Sequence, residues 1–134
     1  MLQFYFLSVS LNALVGYYLF FRNDEGSLSK TGFPLHNETV KISLGVLSAL
    51  TGIIKLFSPV GGRLPVFGDL IPAIIGILCG FIMIYEFYKG KTTIDDTENT
   101  EKITSLLTAN SKVFGAIALI VAAIHFLLPR VMFL

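Results

Sequence analysis

Four stretches of this chain contain no Asp, Glu, Lys or Arg: residues 1–21, 42–54, 70–85 and 113–129, together half of its 134 residues. No feature of the sequence constrains its fold more. A water-soluble helix or strand keeps one polar face, and about a quarter of an ordinary soluble domain is charged. Here 14% of residues are charged and 54% are apolar, so an ordinary soluble domain is excluded. Blocks of this length are suited to lipid. Crossing about 30 Å of hydrocarbon at 1.5 Å per residue takes roughly 20 residues in a helix. Barrel strands alternate polar and apolar residues, whereas these blocks are apolar on every side.

The expected fold is therefore all-α: a polytopic membrane protein forming one integral domain over 1–134, a compact four-transmembrane-helix bundle with spans near 2–21, 40–57, 64–88 and 113–128. Pro129 ends the last span, since proline cannot continue a helix. The segment 22–39 is polar, with Gly26, Gly32 and Pro34, and reads as an exposed loop in which Asn37 caps the second span. The run from Pro59 to Pro65 is short and should make the second and third spans a tight antiparallel hairpin. The second polar loop, 89–112, restarts a helix near Asp95 and Glu98. From there Ile103, Leu106, Leu107 and Val113 share a face suited to the membrane interface.

Met1 leads directly into Leu2-Gln3-Phe4-Tyr5-Phe6, without the basic segment of a cleaved secretory signal, so the first span should remain in the mature protein. The two long loops and the span end beside them hold Arg22, Lys30, Lys41, Lys89, Lys91, Lys102 and Lys112, against Lys55, Arg63 and Arg130 on the other side. Cytoplasmic loops are enriched in Lys and Arg. The expected location is the plasma (inner) membrane, with cytoplasmic long loops and external termini.

The spans hint at an internal repeat. An offset of 64 sets Ser8, Asn12, Gly16 and Gly26 against Pro72, Gly76, Gly80 and Gly90. An offset of 70 sets Gly45, Ser48, Gly52, Lys55 and Pro59 against Gly115, Ala118, Ala122, His125 and Pro129. This order suggests two tandem helical hairpins related by an axis along the membrane normal. Shared small and apolar residues in any two lipid-facing helices give a plainer explanation. Small residues four apart stack on one helix face. Lipid supplies no hydrophobic drive between helices, so close backbone approach at such positions supplies packing. Gly16, Gly45, Gly52, Gly68, Gly76, Gly80 and Gly115 are the expected contact points.

Ionisable groups within a span are costly and are candidates for function. Asp69, Lys55, Arg63, His125 and Tyr5 should gather at the hairpin end of the bundle, suited to a proton, an ion or a lipid headgroup. The preferred and plainer reading makes Asp69 a helix-start carboxylate paired with Lys55 or Arg63. Asn12 should make an interhelical hydrogen bond. Cys79 lies mid-span and is expected to be packing; as the single cysteine it permits no intramolecular disulfide.

Neither a nucleophile elbow nor a phosphate-binding glycine loop occurs, and His36, His125 and Cys79 lie too far apart for a metal site. No catalytic residue, metal or cofactor is expected. Ten basic against nine acidic residues leave a net charge of +1, which disfavours a nucleic-acid partner. Expected partners are the lipid bilayer and either further copies of the chain or another membrane protein. The first functional expectation is a non-catalytic packing or assembly role in a membrane complex. The alternative is a small ion or solute transporter, or a channel subunit, using the polar cluster.

Overall fold

A computed structural model describes residues 2–30, 32, 34–35, 37–57, 70–91 and 98–128. Its helices are α1 (Leu2–Phe21), α2 (Glu25–Ser29), α3 (Glu38–Phe57), α4 (Leu70–Lys91), α5 (Glu98–Ala109) and α6 (Ser111–Leu127), and no strand occurs among the described residues. Three stretches are long and apolar enough to cross a membrane: Gln3–Phe21, Glu38–Phe57 and Leu70–Lys89. A fourth qualifies if Glu101–Leu107 and Ser111–Leu127, bent by 47°, are taken as one. Large apolar side chains such as Phe6, Leu50, Phe81 and Ile120 stand on the outer surface. A water-soluble monomer rarely exposes so many.

The segment expected as a wholly exposed loop is partly built into the fold. Asp24 caps α2, its carboxylate accepting from the Ser27 amide at 3.3 Å and hydroxyl at 2.5 Å. Tyr17 donates to the Ser27 carbonyl at 2.6 Å, which ties α2 back to α1. Leu35 is fully buried in the apolar core, beside residues such as Leu19 and Met83. The physical reason is ordinary: an apolar side chain at a bundle end gains more from covering the core than from facing water. Asn37 caps α3 as expected, accepting from the Thr39 amide at 3.0 Å.

Helix α1 packs most closely against α6, and α3 against α4. Each pair is antiparallel and meets through glycine. A Cβ built on Gly80 would lie 2.6 Å from the Gly45 carbonyl oxygen and 2.8 Å from the Ala49 nitrogen. A Cβ on Gly16, 64 positions before Gly80, would lie 3.0 Å from both the Gly115 carbonyl oxygen and the Leu119 nitrogen. Gly115 and Leu119 stand 70 positions after Gly45 and Ala49. The reverse contacts match as well: Gly45 faces Gly80, Met83 and Ile84, and Gly115 faces Gly16, Leu19 and Phe20. Gly52 meets Ala73 and Ile77 across the α3/α4 contact, and Gly76 lies against Asn12 and Ser48. The α3/α4 pair is the antiparallel hairpin expected of the second and third spans, and both close pairs join a helix of one expected repeat unit to a helix of the other. Instead of two hairpins set side by side, the helices interlock. Gly68 lies outside the described residues.

Between the two pairs runs an apolar seam of Leu11, Val15, Cys79, Ile82 and Met83, all buried. Near its middle, Asn12 donates from Nδ2 to the Pro72 carbonyl at 3.1 Å, joining α1 to α4. Helix α5 turns Ile103 and Leu106 outward and tucks Leu107 against the core.

Candidate functional site

Gly45, Ser48, Gly52 and Lys55 fall on one face of α3, and all four are buried. The stripe that brings α3 into contact therefore carries the Lys55 amine inside with it. On α6 the same spacing buries Gly115, Ala118, Ala122 and His125. The two stripes end on each other: Lys55 Nζ lies 3.1 Å from His125 Nε2. Lys55 is 4% exposed and His125 0%. A nitrogen–nitrogen contact needs one donor and one acceptor. Either Lys55 donates to an unprotonated His125 Nε2, or an Nε2–H of His125 donates to a neutral Lys55 amine.

Tyr5 closes this end from α1. Its hydroxyl donates to the His125 carbonyl, its ring centroid stands 4.7 Å from that of the imidazole, and Lys55 Nζ lies 5.5 Å from the centre of the phenol ring. An ammonium at that distance is attracted by the ring face. Three of the five residues picked out in the sequence, Tyr5, Lys55 and His125, are thus in one cluster drawn from three helices. The other two, Arg63 and Asp69, lie outside the described residues.

A second polar contact, not anticipated from sequence, sits at the opposite end. Arg22, just past α1, forms an ion pair with Glu86 of α4 and also donates to Ser111 Oγ of α6 at 3.2 Å. Beside it a cavity of about 200 Å³ is lined by Tyr18 of α1, Glu38 and Lys41 of α3, and Met83, Glu86 and Phe87 of α4. Lys41 stands over the Tyr18 ring at 5.3 Å, and Lys91 approaches Glu38 at 3.6 Å. A signal for the missed pair was present. Arg22 and Glu86 are 64 positions apart, and Lys55 and His125 are 70 apart, so each contact joins counterpart positions of the two expected units.

Cys79 is buried, with Sγ 4.0 Å from the Phe114 carbonyl, as a packing residue would be. Ser48 donates to the Gly76 carbonyl at 2.9 Å, adding a polar tie at the glycine contact. Outside the spans, hydrogen bonds from Ser27 hold the Asp24 carboxyl below its ordinary value.

A family model that carries no functional description matches residues 1–125. The chain belongs to that family. An uncharacterized protein of Treponema pallidum (strain Nichols) is 38% identical over 76 residues, which make up 57% of this chain. The match spans 59% of that relative's length. No solved structure matches the chain.

Proposed function

We propose that this is a small integral membrane protein of four spans, non-catalytic, that handles a proton or small ion through polar groups buried at the ends of its bundle. The observation that carries this reading is the Lys55–His125 contact at 3.1 Å, fully enclosed and backed by Tyr5. Ionisable side chains inside a span are expensive and face the bundle interior where they serve a pathway. With α5 and α6 taken as one bent span, the fourth crossing is complete. The matched glycine contacts support an origin in two copies of a two-helix unit, related by an axis along the membrane normal. The excess of Lys and Arg in 22–39 and 89–112 supports cytoplasmic loops in a plasma membrane.

The assembly role that the sequence suggests first remains the second reading, favoured by the close-fitted glycine contacts and the apolar seam between the ends. Purified protein in liposomes loaded with a pH-sensitive dye separates the two. Under an imposed potential, wild-type vesicles should take up or release protons faster than empty ones, and Lys55→Met and His125→Phe should abolish the difference while keeping the far-UV helical signal. Flux from wild-type vesicles equal to that of empty ones would overturn ion handling and leave assembly.

A further inference from the structure

A twofold axis brings a residue into contact with its own counterpart only where that residue lies beside the axis. Three counterpart pairs meet in this bundle. Asn12 and Gly76, 64 positions apart, touch near its middle, where a Cβ on Gly76 would lie 3.0 Å from Asn12 Oδ1. Arg22 and Glu86, also 64 apart, form the ion pair at the loop end. Lys55 and His125, 70 apart, meet at 3.1 Å at the other end. The mirrored glycine contacts, Gly16 with Gly115 and Gly80 with Gly45, join the same two halves. Together they mark a pseudo-twofold axis that relates α1 and α3 to α4 and α6.

At none of the three points are the two residues alike. Were the first half to pair with a second copy of itself, arginine would face arginine at one end and lysine would face lysine at the other. The second half paired with its own copy would set glutamate against glutamate. The Arg22 and Glu86 side chains are only 24% and 21% exposed, so water screens such a repulsion poorly. Size is matched as well as charge. Gly76 leaves room for one Asn12 amide, and a second amide in its place would collide with the first.

We infer that these axis residues make the chain a fused pair of unlike halves, in which the surface of α1 and α3 selects that of α4 and α6 and rejects a second copy of itself. The inference rests on the two-unit origin proposed above and is independent of ion handling. Arg22–Glu86 is the chief selector, because it opposes acid to base. Every copy of the chain carries both surfaces, so two chains exchange halves when their charges demand it. The 12 residues 58–69 between the halves reach about 40 Å when extended, enough to lead into a neighbouring bundle.

The test is co-expression of two full-length chains with tags of different size, both in a Cys79→Ala background. One carries Arg22→Glu with Phe6→Cys, the other Glu86→Arg with Phe126→Cys. Closed on itself, each chain opposes like charges; with halves exchanged, both bundles regain an acid and a base. The Phe6 and Phe126 rings have centroids 6.4 Å apart, so a short bifunctional thiol reagent joins the two chains only if α1 of one lies beside α6 of the other. The joined product should exceed that from chains with Arg22 and Glu86 left in place by about tenfold or more. Chains that each carry both Arg22→Glu and Glu86→Arg can close on themselves and should give no excess, which separates charge matching from loss of fold. No excess from the complementary chains, whether or not each folds alone, overturns the proposal, as does an excess from the doubly exchanged ones. Leu56 and Leu70, the counterparts of Phe126 and Phe6, test the axis itself: cysteines there should be joined within one chain as readily as cysteines at 6 and 126. Joining at 6–126 without joining at 56–70 would overturn the two-unit reading and the axis with it, whereas joining at both without exchange would overturn the selection alone.

Discussion

Substituting alanine for Gly115 should loosen the α1/α6 contact more than any other single methyl group placed on these helices. The new Cβ would lie 2.5 Å from the Phe20 nitrogen, 2.7 Å from the Gly16 carbonyl oxygen and 2.9 Å from the Leu19 carbonyl carbon. All three are backbone atoms, which cannot rotate away. Ordinary contact begins near 3.4 Å, so α1 and α6 must part by almost 1 Å along that line. Overpacking a close-fitted core costs about 1–3 kcal/mol, and the rigid neighbours place this site at the upper end. Alanine recovers about 1 kcal/mol through its better helix propensity. A net loss of about 2 kcal/mol remains, roughly a 30-fold fall in the folded ratio. The counterpart position gives an internal control. At Gly45 the new methyl would meet Met83 Cβ at 3.0 Å, the Gly80 carbonyl oxygen at 3.1 Å and Ile84 Cγ1 at 3.3 Å, and two of these are side chains. Gly45→Ala should therefore cost less. Reversible unfolding in mixed detergent, followed by circular dichroism, measures both. Gly115→Ala as stable as wild type, or less damaging than Gly45→Ala, would refute the reasoning.

Asn12→Leu removes the hydrogen bond to Pro72 and should cost about 0.6 kcal/mol, the usual worth of an interhelical bond in a membrane, by the same unfolding assay; no loss would mean that the bond contributes nothing. The Asp24 carboxylate is held below its ordinary pKa of 3.8 by Ser27, so its support of α2 is complete above that value and fades as pH falls through the folded-state value. Amide exchange at Ser27 should accelerate over that window, and Ser27→Ala should return the Asp24 titration, followed by NMR, toward 3.8; an unmoved titration would contradict the assignment. In a Cys79→Ala background, cysteines at Ser29 and Lys102 should react with an impermeant maleimide from one side and a cysteine at Leu128 from the other; labelling of all three from one side would sink the four-span topology. A double-mutant cycle on Lys55→Met and Asp69→Asn should show coupling between about 1 and 3 kcal/mol, intermediate between an exposed and a buried pair, and additivity would exclude the pairing.

The parts legible in the sequence were those encoded by spacing along one helix. Gly45, Ser48, Gly52 and Lys55 announce a buried face because positions three and four apart stack, and the same rule carries His125 inside. Asn12 was legible for a related reason, as a lone amide in an apolar helix needs a partner. What spacing cannot specify is which stripe meets which. The pairing of α1 with α6 depends on the shapes of four surfaces at once, and the interlocked arrangement emerges only from the assembled helices. Arg22 and Glu86 escaped notice because each sits at a span end, where a charge facing headgroups is unremarkable. Leu35 was hidden in a segment whose Gly32, Pro34 and Asn37 describe a turn.

The pairing of α1 with α6 also bears on how the chain is made. Ribosomes release α1 first and α6 last of these helices, into the bilayer if the four-span reading holds, yet the Gly16 face of α1 has its backbone partner on α6. Through most of translation that face must rest against lipid tails or a chaperone, while α3 and α4, adjacent in the chain, zip together as soon as both have emerged. Arrival of α6 then acts as a keystone. A nascent chain halted before Ser111 would carry an open glycine groove, the sort of surface by which a quality-control protease can tell an unfinished membrane protein from a complete one.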